Sequence, residues 1–577
     1  MNENIATVPA EDTAAQVKVD QKKVWEDYEK GRQYNESIGL YEAVQQCEDF
    51  YIGDQWKNCK AGDLDLPVIN ILKRVVNFFV SNLVSDDIGI HLEKFPDIDG
   101  DKPTMDMLET QLDKIMEQTA LKKLLRRFLR DAAVKGDGCV HLYFDVEDTD
   151  SVVEGDTPGA IKAERVPNYR VLFGNPQIAE VEAQPWVIIE YRKTLQQVRE
   201  EAKEAGIAEW ESIQPDEGEK GINTEHEHGK VTVLRRYWRE KSTKTIWAMD
   251  ICKQCILSPA HDTGYSLYPV VWMPWEEVEN SYHGMSAVKA LIPNQIFINK
   301  EYAMAMQHVK LLAFPKIAYN KAMLPNGYSN RVGEAIPVNG DPNMAVAQGI
   351  KAPDMSGQVM AMIQQTISDT RDTMGASDAS LGNVKPDNTS AIIATQKATS
   401  MPLELNRLAF NDSVENIVRI CLDMMGVCYG VRQVIMSVEV PGEPSIDPMT
   451  GAMVPGEPQE VRQPVAFDFG TVKGLGLQLN VDIGESSYWS EIMQVQTLDS
   501  LVAHGIINDP VAYLDAIPDG YIKNKAELLK SVKKSMGMAA PAPGGMTPGG
   551  VPTPQGVSLP ASMGGLGSKM TTSLPIT

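Results

Sequence analysis

The chain has 577 residues, 43% of them apolar, enough to fill sizeable cores in several domains, which excludes disorder throughout. Its net charge of −24, from 78 acidic against 54 basic residues, excludes a tight general binder of nucleic-acid phosphates but not contact with a polymer that must slide. Seven cysteines, an odd number, and an N-terminus without a basic segment followed by an apolar one point to reduced thiols in a cytosol-like compartment with no export signal.

Residues 1–37 read as a polar arm leading into helix formers that run from Lys22 to about Phe50, stopped by Gly53. A second helix is expected from Val68 to Val84; its apolar run 75–84, interrupted by Asn77 and Asn82, is too short to span a membrane. Helices near 105–116 and 121–135 precede a strand in "GDGCVHLYFD". Strands follow at 163–173, 186–192, 231–238 and 245–257, with a helix at 195–205 among them, so the class is α+β and helix-rich.

After Pro293, Ile298, Tyr302, Ala305, Val309 and Leu312 step by four and three, the pattern of a helical seam. It stops at Phe314-Pro315, strand-like pieces follow, and a second helix begins near Ser356 with Val359, Ile363, Ile367 and Met374 on one face. Next comes "GASDASLGNVKPDNTSAIIATQ", a polar run between two strong helices, and then a long helix to about Met425 that Pro402 is expected to bend. Cys421 and Cys428 lie on that helix's apolar stripe and read as core. Two strands joined by a Pro/Gly-rich hairpin, a strand "LQLNVDIG", three helices between Ser487 and Lys533, and a Gly/Pro-rich tail complete the chain.

Chemistry finds little footing. There is no phosphate-binding Gly-x-x-x-x-Gly-Lys loop, no Gly-x-Ser-x-Gly elbow and no His-Glu-x-x-His helix, so no catalytic residue and no cofactor is assigned. Cys252 and Cys255, with His226, His228 and His261 as conceivable partners, lack the second close ligand pair of a structural zinc site and read as a hairpin tip; no metal is assigned. The basic stretch "LKKLLRRFLR" reads as an amphipathic helix with a basic outer face, open to nucleic acid or an acidic partner.

The order of elements, with "CEDFYIGDQW", "PVINILKRVVNFFVSNLV", "GDGCVHLYFD", "AERVPNYRVLFGNP" and "NTSAIIATQKA" in sequence over about residues 38–535, resembles the portal proteins of tailed bacteriophages, closest to the short-tailed, P22-like ones. The resemblance implies a wing (38–285 and 430–484), stem helices (286–313 and 355–375), a clip (314–354), a channel loop (376–389), a long kinked helix (390–429) and a short crown (485–535); composition alone makes 536–577 a disordered tail. The crown is shorter than in portals with a long helical barrel. It further implies a dodecameric ring at one capsid vertex of the virion, assembled in the bacterial host cytoplasm. The expected partners are further copies of the chain, the major capsid protein and scaffold, the terminase large subunit, head-tail adaptor or tail proteins, and double-stranded DNA held without sequence preference; no membrane is expected.

The site residues expected on this reading are Gly375, Gly382, Asn383, Lys385, Asp387 and Asn388 on the channel loop. Ile298, Tyr302, Val309, Val359, Ile363 and Ile367 form the stem seam, and Lys321, Arg331 and Glu334 the clip contact. A head-to-tail contact along an apolar seam closes into a ring when the rotation allows. Two other readings stay open here: a non-conducting connector or tail adaptor ring, and a metal-dependent nucleic-acid enzyme using Asp/Glu clusters with Cys252 and Cys255.

Overall fold

The computed structural model describes residues 20–57, 64–84, 88–94, 102–148, 158–216, 229–313, 316–327, 335–350, 357–373, 401–446, 453–474, 477–483, 495, 497–504, 510–517, 525, 528–529 and 531–532. The arm before residue 20, the expected channel loop and the Gly/Pro-rich tail lie outside the described residues. By compactness the chain divides into two units, Met1–Ser487 and Tyr488–Thr577.

The first unit opens with α1 (Gln21–Ser37) and α2 (Leu40–Ile52) where the sequence suggests one helix. Gly39 separates them: at φ +66° it occupies the left-handed region that glycine enters without steric cost. Asp20 starts α1 by accepting the Lys22 N–H at 3.1 Å, and Asn70 starts α3 (Ile71–Leu83) by accepting that of Lys73 at 3.0 Å. Strand β1 (Ile88–Lys94), α4 (Lys102–Gln118), α5 (Leu121–Lys135) and β2 (Asp137–Asp145) follow. The strand expected over 163–173 is two, β3 (Ala160–Arg165) and β4 (Val171–Phe173), because a 3-10 turn at Asn168–Arg170 redirects the chain after Pro167.

Next come β5 (Trp186–Thr194), α6 (Leu195–Glu204), β6 (Lys230–Arg239), β7 (Ile246–Cys252), β8 (Ile256–Tyr265) and β9 (Val270–Pro274). They build a five-stranded antiparallel sheet in the order β4-β5-β6-β7-β8 and a three-stranded one in the order β3-β2-β9. Tyr282, Trp272, Phe173 and Tyr268 fill a buried aromatic cluster with residues of both sheets.

Helix α7 (Ala287–Ala313) includes Pro293 near its start and runs about 40 Å at ~1.5 Å per residue. Strands β10 (Lys316–Tyr319) and β11 (Val346–Ile350) pair antiparallel, and α8 (Gly357–Thr373) returns against α7. Helix α9 (Glu404–Cys428) is preceded by a 3-10 turn at Met401–Leu403 that holds Pro402; the earlier part of the long helix expected here lies outside the described residues. The turn suits a residue with no N–H to give. The main core gathers α2, α3, α4, α5, α7 and α9 on β2 and β9, and holds Cys421 as the sequence suggests.

Strands β12 (Val431–Ile446) and β13 (Met453–Asp468) form one long ribbon, and β14 (Leu477–Ile483) pairs with β1. Much of the segment read as a hairpin loop is therefore paired, out to Ile446 with Met453, with register shifts around Gly442. In the second unit, residues 497–503 are helical, α10 spans Pro510–Ala516, and the Tyr513 hydroxyl donates to Asp499 at 2.6 Å.

Candidate assembly surface

Helix α7 is fixed to the body at its base. The Ser286 hydroxyl accepts the Val288 N–H at 3.0 Å and donates to the Val134 carbonyl at 2.7 Å, tying the helix start to the end of α5. Just before it, Asp137 accepts from the Gly284 N–H (2.6 Å), from His283 Nδ1 (2.7 Å) and from Asn168 Nδ2 (3.1 Å), while His283 Nε2 meets Asn35 at 3.1 Å. Asp137, His283, Asn168 and Asn35 are all buried, so the charge is held by donors and not by water.

About two turns up, an amide ladder continues the anchoring. Gln295 accepts the Ile71 N–H at 3.1 Å and donates to the Ile69 carbonyl at 2.6 Å and to Asn299 at 2.9 Å; Asn299 donates to Gln55 at 2.6 Å. This satisfies groups at the start of α3, which helix geometry leaves without internal partners. Helix α8 joins through Asn294, whose amide donates to the buried Thr370 hydroxyl at 3.2 Å.

Exposure reverses along α7. Ile298 is fully buried in the main core, and Tyr302 is half-buried against it. Beyond them Met304, Met306, Val309, Leu311 and Leu312 are exposed, Val309 at 58%. Lys310 reaches Asp65 at 2.5 Å, the ion pair that ties this distal stretch to the body. On α8, Ile363 is buried, Ile367 packs partly on the core, Val359 is half-buried, and Met360 and Met362 are exposed. At the start of α9, Met401, Leu405 and Leu408 are exposed, Leu405 at 79%. Val431 and Ile435 are exposed at the base of the β12–β13 ribbon. Single exposed apolar residues are ordinary, but their number on two adjoining helices, the next helix start and the ribbon base marks these stretches as candidates for association.

The seam residues read from sequence thus part company. Ile298 and Ile363 are buried in the chain itself, Tyr302 and Ile367 lie at the margin of its core, Val359 is half-buried, and Val309 stands in solvent. Lys321 is exposed in the turn after β10; Arg331, Glu334 and the loop residues Gly375, Gly382, Asn383, Lys385, Asp387 and Asn388 lie outside the described residues. Sequence reading missed Met304, Met306, Met360 and Met362, since methionine fills cores as readily as it lines flexible contacts. It also missed Leu405 and Leu408, whose three-residue spacing on one helix face was the available signal.

The cysteine pair sits where expected, at the tip between β7 and β8, where the Cys252 N–H donates to the Cys255 carbonyl at 2.9 Å. The sulfurs lie 3.4 Å apart among apolar side chains of α6, and burial followed by the neighbouring Cys252 pushes the Cys255 thiol up to about 12. Among the described residues no group of three or more His, Cys, Asp or Glu side chains is arranged to hold a metal. His226 and His228 lie outside them, and the His261 ring meets the carbonyl of Pro259 at 3.0 Å. No helix among the described residues is long and apolar enough to cross a membrane.

Compared with known families, the chain matches the model described as phage P22-like portal protein over residues 27–465, well over half its length. Among curated proteins none matches.

Proposed function

Since this chain belongs to the P22-like family of phage portal proteins, we propose that it acts as a dodecameric ring at one vertex of the capsid, a conduit and not an enzyme, through which double-stranded DNA enters and leaves. In this reading the stem is α7 with α8, the clip is the segment between them, and the loop before α9 faces the DNA. The wing docks capsid and scaffold, and the clip receives the terminase large subunit during packaging and head-tail adaptors afterwards. The assembly takes place in the host cytoplasm and ends in the virion.

One observation carries the ring reading: α7 is anchored by a satisfied polar ladder at its base, while farther along it Met304, Met306, Val309, Leu311 and Leu312 are exposed. An extended apolar stretch on a well-anchored helix is stabilised by association, and identical subunits meeting heterologously close into a ring when the rotation permits. The net charge of −24 suits a channel that repels phosphate and leaves DNA free to slide.

The test is a solution mass with negative-stain electron microscopy of the purified protein. Rings of about a dozen copies are expected from heterologous closure. A compact particle that forms no ring at any concentration, with or without scaffold, overturns the proposal. Deleting Ala379–Pro386 is expected to leave rings intact and to impair DNA packaging or retention; loss of assembly instead removes the channel-loop assignment.

A further inference from the structure

The cysteine pair at the β7–β8 turn has no part in the proposed ring contacts. Cys252 ends β7 and Cys255 stands just ahead of β8, one step beyond the paired Ile251 and Ile256, with only Lys253 and Gln254 between them. The Cys252 N–H donates to the Cys255 carbonyl at 2.9 Å, so the two residues face each other across the turn. Cross-strand partners of this kind have Cα atoms about 5.5 Å apart, inside the roughly 4.4–6.8 Å that a disulfide spans. The sulfurs are already 3.4 Å apart, and the Cys255 N–H points at Cys252 Sγ at 3.3 Å. Val198 and Ala202 of α6 pack around the pair, and among the described residues no third metal ligand joins it. Lys253 at the tip is exposed, which leaves the thiols one residue from solvent. The tip also carries the start of α1: the Gln21 side-chain amide donates to the carbonyls of Cys252 at 2.9 Å and Lys253 at 3.2 Å.

We propose that Cys252 and Cys255 are an oxidation site, closing to an intrachain disulfide by exchange with a low-molecular-weight disulfide once the chain leaves a reducing compartment. Cys255, 4% exposed against 0% for Cys252, attacks as thiolate one sulfur of the reagent R–S–S–R and expels R–S⁻. Cys252 then attacks Cys255 Sγ in the mixed disulfide, the Sγ–Sγ bond forms, and a second R–S⁻ leaves. The two thiol protons end on the two expelled thiolates; the cysteines lose two electrons and the reagent gains them. Bonding draws the sulfurs together by roughly 1.4 Å, to the ~2.05 Å of a disulfide. The short turn must tighten for this, and a strained bridge is the more reducible kind, open among cytosolic thiols and closed outside. Burial first, then Cys252 and Glu209, push the Cys255 thiol up to about 12, so thiolate is scarce at neutral pH and exchange is slow. Once closed, the bridge fixes the tip on which Gln21 and α1 rest. The passage from host cytoplasm to virion that exposes the pair to oxidant rests on the portal reading; the chemistry of the pair does not.

The test is thiol mapping of the purified full-length protein, kept first in excess reduced glutathione and then transferred to oxidised glutathione. Each sample is alkylated in denaturant, digested and weighed as peptides. Under reduced glutathione both cysteines are expected to carry alkyl groups. After oxidation the peptide that holds them is expected to lose both alkyl groups, to be lighter than its free dithiol form by two hydrogens, and to recover alkylation on treatment with dithiothreitol. Cys47, Cys139 and Cys421, buried elsewhere, are expected to remain alkylated throughout. Both thiols still alkylated after prolonged oxidation, glutathione retained on either sulfur, or a bridge already closed in excess reduced glutathione each overturns the proposal. So does zinc at one per chain that a folded C252S/C255S protein fails to retain, since the pair would then be a metal site. Particle mass is read on the same samples: a chain that never forms rings yet closes the bridge sinks the ring and keeps this site.

Discussion

The two halves of α7 share one apolar stripe and one helical period, yet they live in different surroundings. From Ala287 to Asn299 each inward residue meets a partner in the same chain: Val288, Leu291, Ile292 and Ile298 in the core, Gln295 and Asn299 in the amide ladder. Farther along, Ala305 is still buried but Met304, Met306, Val309, Leu311 and Leu312 face solvent. The difference teaches that helical periodicity reports where a helix is apolar and says nothing of which molecule covers it. The proximal half is a matter of folding; on the proposed ring, the distal half is a matter of association.

The largest expected effect comes from placing a charge in the proximal half. Ile298→Asp sets a carboxylate in a fully buried site without a cation, and a loss of more than about 5 kcal/mol is expected, seen as failure to fold in thermal or urea melts. A folded Ile298→Asp protein that merely fails to form rings would erase the distinction between the halves. Next is Asp137→Ala at the helix base, which strips His283, Asn168 and the Gly284 N–H of their shared acceptor. About 3–5 kcal/mol of chain stability is expected to go, read in the same melts. Gly136→Ala follows, at about 1–3 kcal/mol: φ is +99°, and an added Cβ would stand 2.6 Å from the Gly284 carbonyl oxygen.

Helix α5 was legible to the residue, because its apolar residues recur with the helical period and Gly136 ends it in the left-handed region. The β12–β13 ribbon was legible only at its base. Its outer part carries Pro441, Pro444, Pro455 and Pro458, which read as turn, whereas a two-stranded ribbon has free edges on both sides where a missing N–H costs no ladder bond. The node of Asn35, Asp137, Asn168 and His283 was illegible for another reason: its members are brought together by tertiary packing, and no local spacing links them. Of the assembly surface, the stripe was visible and its division between Ile298 and Val309 was not, since both positions carry branched aliphatics in phase.

A smaller effect distinguishes the two sheets of the body from the distal stem by pH. His141 of β2 is buried between sheets, its Nδ1 at 3.0 Å from Glu164 and 2.9 Å from the Tyr191 hydroxyl, its Nε2 at 2.9 Å from that of Tyr237. Arg235 and Asp250 also face it. Burial holds its pKa below the ordinary 6.5, outweighing the opposite pull of Glu164. Burial raises Glu164, but its bonds to His141 and Tyr191 leave it lowered on balance. Both folded values lie below the unfolded ones, so the unfolded chain binds more protons as pH falls and stability drops with it. The loss begins near pH 6.5 for His141, with a slope of at most ~1.4 kcal/mol per pH unit for the one proton. His141→Gln keeps hydrogen-bonding capacity without titrating, so its melting temperature is expected to vary less between about pH 7 and 5 than that of wild type. Parallel curves would remove His141 as the source.

The smallest expected effect on the chain is the most informative about its work. Val309→Asp places a charge where the side chain is 58% exposed, so the melting temperature of the dissociated chain is expected to shift by no more than about 0.5 kcal/mol's worth. If the distal half of α7 is covered by a neighbouring copy, the same carboxylate is buried unpaired at every contact around the ring, and a penalty of several kcal/mol repeated at each interface abolishes closure. The expected result is therefore a folded protein whose solution mass no longer reaches the ring. Rings of normal mass would place the covered surface elsewhere, on Leu405 and Leu408 or on the ribbon base at Val431 and Ile435, and the same substitution at those positions would then locate it.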